Sequence, residues 1–249
     1  MGALAALAAC AAAGLPAARA AEEKPLRLFI LAGQSNMAGL KPEAGFTPAA
    51  TAAFPDDEIL VVKVAFSGTP IRLWYKDWKA PEGWKEPPPR KRADGRESAE
   101  ASPEAYGRLY DILIGNARGK LGTKTPRSVT FIWMQGERDA KSGTESVYLE
   151  SLQGLIRKLR ADLGRPDTTV VIGRLSDHQL GQPGWDAVRA AQEKAAAADP
   201  LAAWVDSDDL NGPKNDLHLP PEGYAELGRR FAQKAAELIR RQATAKPAP

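Results

Sequence analysis

Two short segments at opposite ends of the 249-residue chain carry the residue types needed for acyl transfer. Near the start, Gly33-Gln34-Ser35-Asn36-Met37-Ala38-Gly39 sets a serine in a tight turn of small residues. A serine hydroxyl is almost fully protonated at neutral pH, so it becomes a nucleophile only beside a base, while amides of such a turn can face an oxyanion. Near the end, Asn215-Asp216-Leu217-His218-Leu219-Pro220 places a carboxylate two residues before a histidine. That carboxylate can fix the imidazole tautomer and stabilise its protonated form. The chain has only two histidines, so an imidazole base must be His178 or His218. His178, in Ser176-Asp177-His178-Gln179, is the rival; the Asp216 neighbour and the place before the last helix favour His218. Two further loops can complete the chemistry. Gly68 in Ser67-Gly68-Thr69-Pro70 lets a backbone N–H approach a ligand closely. In Gln135-Gly136-Glu137-Arg138-Asp139, the Gln135 amide can donate to a developing negative charge and Glu137 can orient a neighbour. Taken singly, each has a plainer reading: Ser35 as a helix cap, Gly68 as a simple turn, Glu137 and Arg138 as a surface charge pair.

These residues need a frame that brings distant loops together. Near-continuous apolar runs at Arg27 to Ala32, Glu58 to Phe66, Ser128 to Met134, Thr169 to Leu175 and Leu201 to Asp206 read as strands buried on both faces. Between them lie stretches of helical period. Tyr106, Leu109, Tyr110 and Leu113 share one face, with Ser102 as the expected N-cap and Pro103 in the first turn. Tyr148, Leu152, Leu155, Ile156, Leu159 and Leu163 share another, closed by Gly164 and Pro166. Further helices are expected from Trp185 to Ala198 and from about Pro221 to Arg241. Alternating strands and helices predict a three-layer α/β domain, in which ligands bind at the carboxyl ends of the strands. All four chemistry-bearing loops follow strands in this reading.

Composition narrows the function classes. The 34 Lys and Arg against 31 Asp and Glu leave a formal charge of 34 − 31 = +3, too small to argue for nucleic acid, and Arg90-Lys91-Arg92 is too short a basic cluster to change that. The single cysteine, Cys10, excludes an internal disulfide framework and a Cys-based zinc cluster. The acidic run Asp206-Ser207-Asp208-Asp209 is broken by Leu210 and lacks the spacing of a calcium loop, so no metal and no cofactor are expected. Residues 1–20, rich in Ala, Leu and Gly and ending Ala18-Arg19-Ala20, read as a signal peptide, and residues 21–249 as one hydrolase domain. Leu7-Ala8-Ala9-Cys10 also matches a lipoprotein cleavage box, which would anchor the protein through Cys10. Either way the expectation is export, in a bacterial setting, with no integral membrane span.

The blocks GQSNM at Gly33 to Met37, Gln135-Gly136-Glu137, and Asp216-Leu217-His218 followed by Glu222-Gly223-Tyr224 resemble the ordered motifs of SGNH hydrolases. The resemblance is to the sialate O-acetylesterase-like branch, with the acetyl xylan esterases of carbohydrate esterase family six. It implies a flavodoxin-like α/β/α sandwich with a parallel sheet of about five strands. It also implies Ser35 as nucleophile, His218 as base, and an oxyanion hole from the Ser35 and Gly68 amides and the Gln135 side chain. One departure stands out: the usual acid lies three residues before the histidine, where this chain has Asn215. Asp216 is the first choice of acid. A dyad supported by a backbone carbonyl, Glu137, or a residue of Asp206 to Asp209 are the alternatives. Gln34, Asn36, Glu137, Arg138, Trp74 and His178 are the expected binding or orienting residues.

The activity so implied is removal of O-acetyl groups from carbohydrates by an acyl-enzyme mechanism. An esterase of different acyl or alcohol specificity, or a non-catalytic glycan-binding module on the same fold, are the other readings. Specificity is expected in Ile71 to Arg92, where Trp74, Tyr75, Trp78 and Trp84 could present a platform to sugar rings, stiffened by Pro87-Pro88-Pro89. The alternative is that these aromatics fold onto the domain as a satellite core.

Overall fold

The computed structural model describes residues 24–86 and 103–245. Five strands, β1 (Leu26–Gly33), β2 (Glu58–Ala65), β3 (Ser128–Met134), β4 (Thr169–Gly173) and β5 (Ala202–Val205), form one sheet in the order β2-β1-β3-β4-β5. Every pairing is parallel, and the five apolar runs of the sequence supply the five strands. β1, β3 and β4 are buried along their whole length, which explains why their sequences show no polar alternation.

Successive residues of β1 serve opposite layers. Leu28, Ile30 and Ala32 join a core with α3 (Arg108–Leu121), α5 (Tyr148–Asp162) and α6 (Pro183–Ala197). Phe29 and Leu31 join a second core with α2 (Phe46–Ala53) and α7 (Pro221–Ala245). Two short helices, α1 (Ser35–Gly39) and α4 (Glu137–Ser142), open directly after β1 and β3. The result is the expected three-layer sandwich.

The helix expected around Tyr106 starts later than its apolar spacing suggests. Pro103–Ala105 forms a separate 3₁₀ turn, and α3 begins at Arg108 after Gly107, whose φ of +76° breaks the two apart. The Ser102 cap, the signal segment with Cys10, and Pro87 to Arg92 lie outside the described residues. No helix among the described residues is long and apolar enough to cross a membrane.

The strand order reverses direction between β1 and β3: the chain passes from β1 to β2 on one side, then returns to β3 on the other. In such sheets the crevice at that switch point, beyond the carboxyl ends of the strands, is where ligands bind. The Ser35 turn and the Gln135 loop flank it.

Candidate active site

At the end of β1, Gly33 adopts φ +152° and approaches β3 so closely that a Cβ would lie 1.9 Å from the Met134 carbonyl oxygen. Only glycine fits there, and the close approach lets the Gln34 amide donate to that carbonyl at 3.0 Å. The buried Gln34 side chain continues the link, its Oε1 accepting from Gln135 Nε2 (3.2 Å) and from the Arg138 amide (3.1 Å). Ser35 follows, half-buried, as the first residue of α1.

Asn36 brings in the far end of the chain. Its side chain is 3% exposed; Nδ2 donates to Glu137 Oε1 at 2.8 Å and to the Leu217 carbonyl at 3.1 Å, and Oδ1 accepts from Tyr224 OH at 3.2 Å. The neighbour of Ser35 is thus bonded to the neighbour of His218. Leu217 packs partly buried against one core and Leu219 is buried in the other, which leaves His218 between them facing solvent. No hydrogen bond joins Ser35 to His218 among the described residues; catalytic hydrogen bonds commonly tighten only with substrate in place.

Asp216 is exposed, and its carboxylate makes no hydrogen bond to the His218 ring. The other proposed acids are engaged elsewhere. Asp206 and Asp208 pair with Arg174, Asp208 also with Arg189, and Asp209 with Arg230 in a two-pronged contact of 2.6 and 2.7 Å. The Arg230 hydrogen bonds hold Asp209 below the usual carboxylate range. Glu137 is buried beside Asn36, and burial pushes its carboxyl above the ordinary value, against the hydrogen bonds that it accepts. Asn215, where the resembled motif has its acid, has a positive φ of +49° and accepts from Asn211 Nδ2 at 2.5 Å.

His178 turns out to be a strut of this loop. Its Nδ1 lies 2.7 Å from the Asn215 carbonyl, so that nitrogen carries the proton and donates, and the ring meets Trp185 edge-on at 5.9 Å. It supports the segment that bears His218.

Gln135, expected as an oxyanion donor, has its amide engaged within the protein. The residue is 0% exposed, and Nε2 faces three acceptors: Asp139 Oδ2 at 2.6 Å, the Thr69 carbonyl at 3.0 Å and Gln34 Oε1. Turning the amide over would set an oxygen against three oxygens, so the orientation is fixed by its surroundings. The side chain instead anchors the Gly68 loop from behind. The amides of Ser35 and Gly68 donate no hydrogen bond within the described residues.

Asp139, which sequence reading passed over, is the centre of that anchor. It is fully buried and accepts from the Ile71 amide (2.9 Å), Thr144 Oγ1 (2.9 Å) and Gln135. Burial raises its pKa, and those three donors oppose the rise. Gln135 and Thr144 are near it in sequence, but Ile71 is 68 residues away, so only the folded arrangement shows that it ties the two loops together.

The aromatic segment is part of the main core on the α3, α5 and α6 side of the sheet: Trp74 and Trp78 are buried in it, and Tyr75 and Trp84 pack against it. Trp74 is 0% exposed, packs edge-on against Trp133 at 5.4 Å, and lies in hydrogen-bond reach of Thr69 Oγ1. Trp78 is buried between Trp84 and Tyr106, and Tyr75 packs against Gly154 of α5. Phe66, 43% accessible, follows β2, and its amide donates to the Gly33 carbonyl at 3.2 Å, which sets its backbone beside the start of the Ser35 turn.

Residues 39–237 match the model of the family described as carbohydrate esterase, sialic acid-specific acetylesterase. The chain belongs to this family. It is accordingly a carboxylic ester hydrolase acting on carbohydrates. The match spans most of the esterase and includes the His218 loop, but begins four residues after Ser35. Solved structures share the esterase's fold at low identity. A protein from Arabidopsis thaliana aligns with TM-score 0.64 at 20% identity over 86% of this chain and 98% of its own. XAC1771, described as a novel carbohydrate acetylesterase from Xanthomonas citri, aligns with TM-score 0.59 at 17% identity over 90% of this chain and 57% of its own. NanS aligns with TM-score 0.57 at 14% identity over 88% and 99%. No curated protein matches the esterase in sequence.

Proposed function

We propose that this esterase removes O-acetyl groups from glycans, such as acetylated xylan or sialic acid, with Ser35 as nucleophile and His218 as general base and acid. The observation that carries the reading is the Asn36 side chain, which ties the Ser35 turn to the His218 loop at the switch point of the sheet. The family description supports the acetylated carbohydrate as substrate.

In the proposed reaction His218 takes the Ser35 proton as Oγ attacks the acetyl carbonyl carbon. The oxygen that becomes negative accepts from the Ser35 and Gly68 amides, and Gln135 fixes the Gly68 loop through the Thr69 carbonyl. The carbon–oxygen bond to the sugar then breaks, and His218 returns the proton to the departing hydroxyl. Water, deprotonated by His218, attacks the acetyl-serine; the bond to Oγ breaks, His218 returns the proton to Ser35, and acetate leaves. One oxyanion donor is worth about 2.7–4 kcal/mol of transition-state stabilisation. Because Asp206, Asp208 and Asp209 pair with arginines and Glu137 with Asn36, we favour Asp216, or a Ser–His pair with backbone support, as what orients His218. The exposed Phe66 ring is the proposed sugar-facing surface. Residues 1–20 are proposed as an export signal before a single domain at 21–249.

The test is acetate release from acetylated xylan, sialic acid and pectin fragments. Release that disappears in Ser35→Ala is the expected result; no release from any acetylated glycan, with turnover of other esters, would move the substrate class elsewhere.

A further inference from the structure

Asn36 uses its full inner hydrogen-bonding face on three separate parts of the chain. Nδ2 serves Glu137 Oε1 in α4 and the Leu217 carbonyl beside His218, and Oδ1 takes the hydroxyl of Tyr224 in α7. The orientation is unambiguous, because exchanging the amide nitrogen and oxygen would set an oxygen against both Glu137 and the Leu217 carbonyl. The acceptor at its base, Glu137, is itself buried, so losing Asn36 leaves a buried polar group without its donor. Meanwhile His218 lacks what normally orients a catalytic imidazole. Asp216 does not bond it, and the side chain of Asn215 is taken by Asn211. The loop is held at its outer end by His178 on the Asn215 carbonyl and at its inner end by Asn36 on the Leu217 carbonyl.

We propose that Asn36 is a positioning residue that sets the His218 loop over Ser35, so that the backbone of the loop supplies the orientation a triad acid gives elsewhere. The inference rests on the Ser35–His218 reading above. A misplacement of about 1 Å in reacting groups costs on the order of 10²-fold in rate, which sets the effect to expect.

The experiment compares Asn36→Ala and Tyr224→Phe with the unaltered enzyme, using an aryl acetate, which needs no glycan contacts. kcat and KM are measured between about pH 5 and 9, across the imidazole range, together with the rate of Ser35 labelling by a fluorophosphonate. Asn36→Ala is expected to lower kcat about 10²-fold with KM changed less than about threefold. The pH profile of its kcat should flatten, and labelling should slow in parallel. Tyr224→Phe removes one of the three ties and is expected to lower kcat severalfold. A folded Asn36→Ala with kcat within twofold and an unchanged pH profile overturns the proposal. If Asn36→Ala does not fold, an unchanged kcat in Tyr224→Phe overturns it. Ser35→Ala separates the levels: activity retained there removes the Ser35–His218 reading itself, whereas activity lost there but kept in Asn36→Ala removes only the positioning role.

Discussion

Asp216→Asn distinguishes a triad from a loop-supported pair, and the structure sets the size of its effect. The carboxylate is exposed and unbonded to His218. Exposed charge pairs interact with about 0.2–1 kcal/mol. At about 1.36 kcal/mol per tenfold in rate, losing that stabilisation of a protonated His218 lowers kcat about 1.4- to 5-fold. Where a buried carboxylate holds the tautomer, neutralising it costs about 10⁴-fold. The two cases differ by more than three orders of magnitude, well outside the scatter of a steady-state assay. The measurement is kcat/KM for an aryl acetate, compared between the unaltered enzyme and the Asp216→Asn variant at low and at roughly physiological salt. Because exposed charges are screened over about 8–10 Å, the small difference should shrink further as salt rises. A loss of 10³-fold or more, indifferent to salt, would refute the reasoning and show that Asp216 closes onto the imidazole in the working enzyme.

Three further outcomes follow from the same geometry. Trp74→Ala should destabilise the domain by about 3–5 kcal/mol, as for other fully buried large side chains, with KM for glycan esters unchanged in the folded protein; thermal unfolding and kinetics check the two halves. Phe66→Ala should raise KM for an acetylated sugar about fivefold, equivalent to ~1 kcal/mol of ring contact, and leave kcat for an aryl acetate unaltered. Glu137→Gln keeps an acceptor for Asn36 and removes a charge that burial disfavours. A raised carboxyl pKa means that the folded state binds the proton more tightly. The unaltered protein therefore loses stability as pH rises above about 4.5, the ordinary value, towards the raised one. Relative to it, Glu137→Gln should gain stability over that window and show no pH-dependent gain below it. Urea midpoints from pH 4 to 8 measure this, and a pH-independent difference would contradict it.

The frame was legible because burial on both faces leaves β1, β3 and β4 as unbroken apolar runs, which periodicity detects directly. α2 was not: its eight residues are Ala- and Thr-rich around Pro48, and it is secured by packing against α7 rather than by its own pattern. The Ser35 turn and the His218 loop announced themselves through residue type. The polar framework behind them did not. Asp139 meets Ile71, and Gln135 meets Gln34 and Thr69, across separations of 66 to 101 residues that no local signal encodes. The same blindness misplaced the tryptophans, because an aromatic cluster reads alike whether it faces a sugar or a core. Exposure decides, and it leaves Phe66 open to solvent while Trp74 is buried.

The most direct test of the central claim is covalent labelling by a fluorophosphonate, followed by peptide mapping, on the unaltered enzyme and on Ser35→Ala. The account predicts one label per chain on Ser35, loss of acetate release in step with labelling, and neither label nor activity in Ser35→Ala. Undiminished acetate release from Ser35→Ala would contradict it.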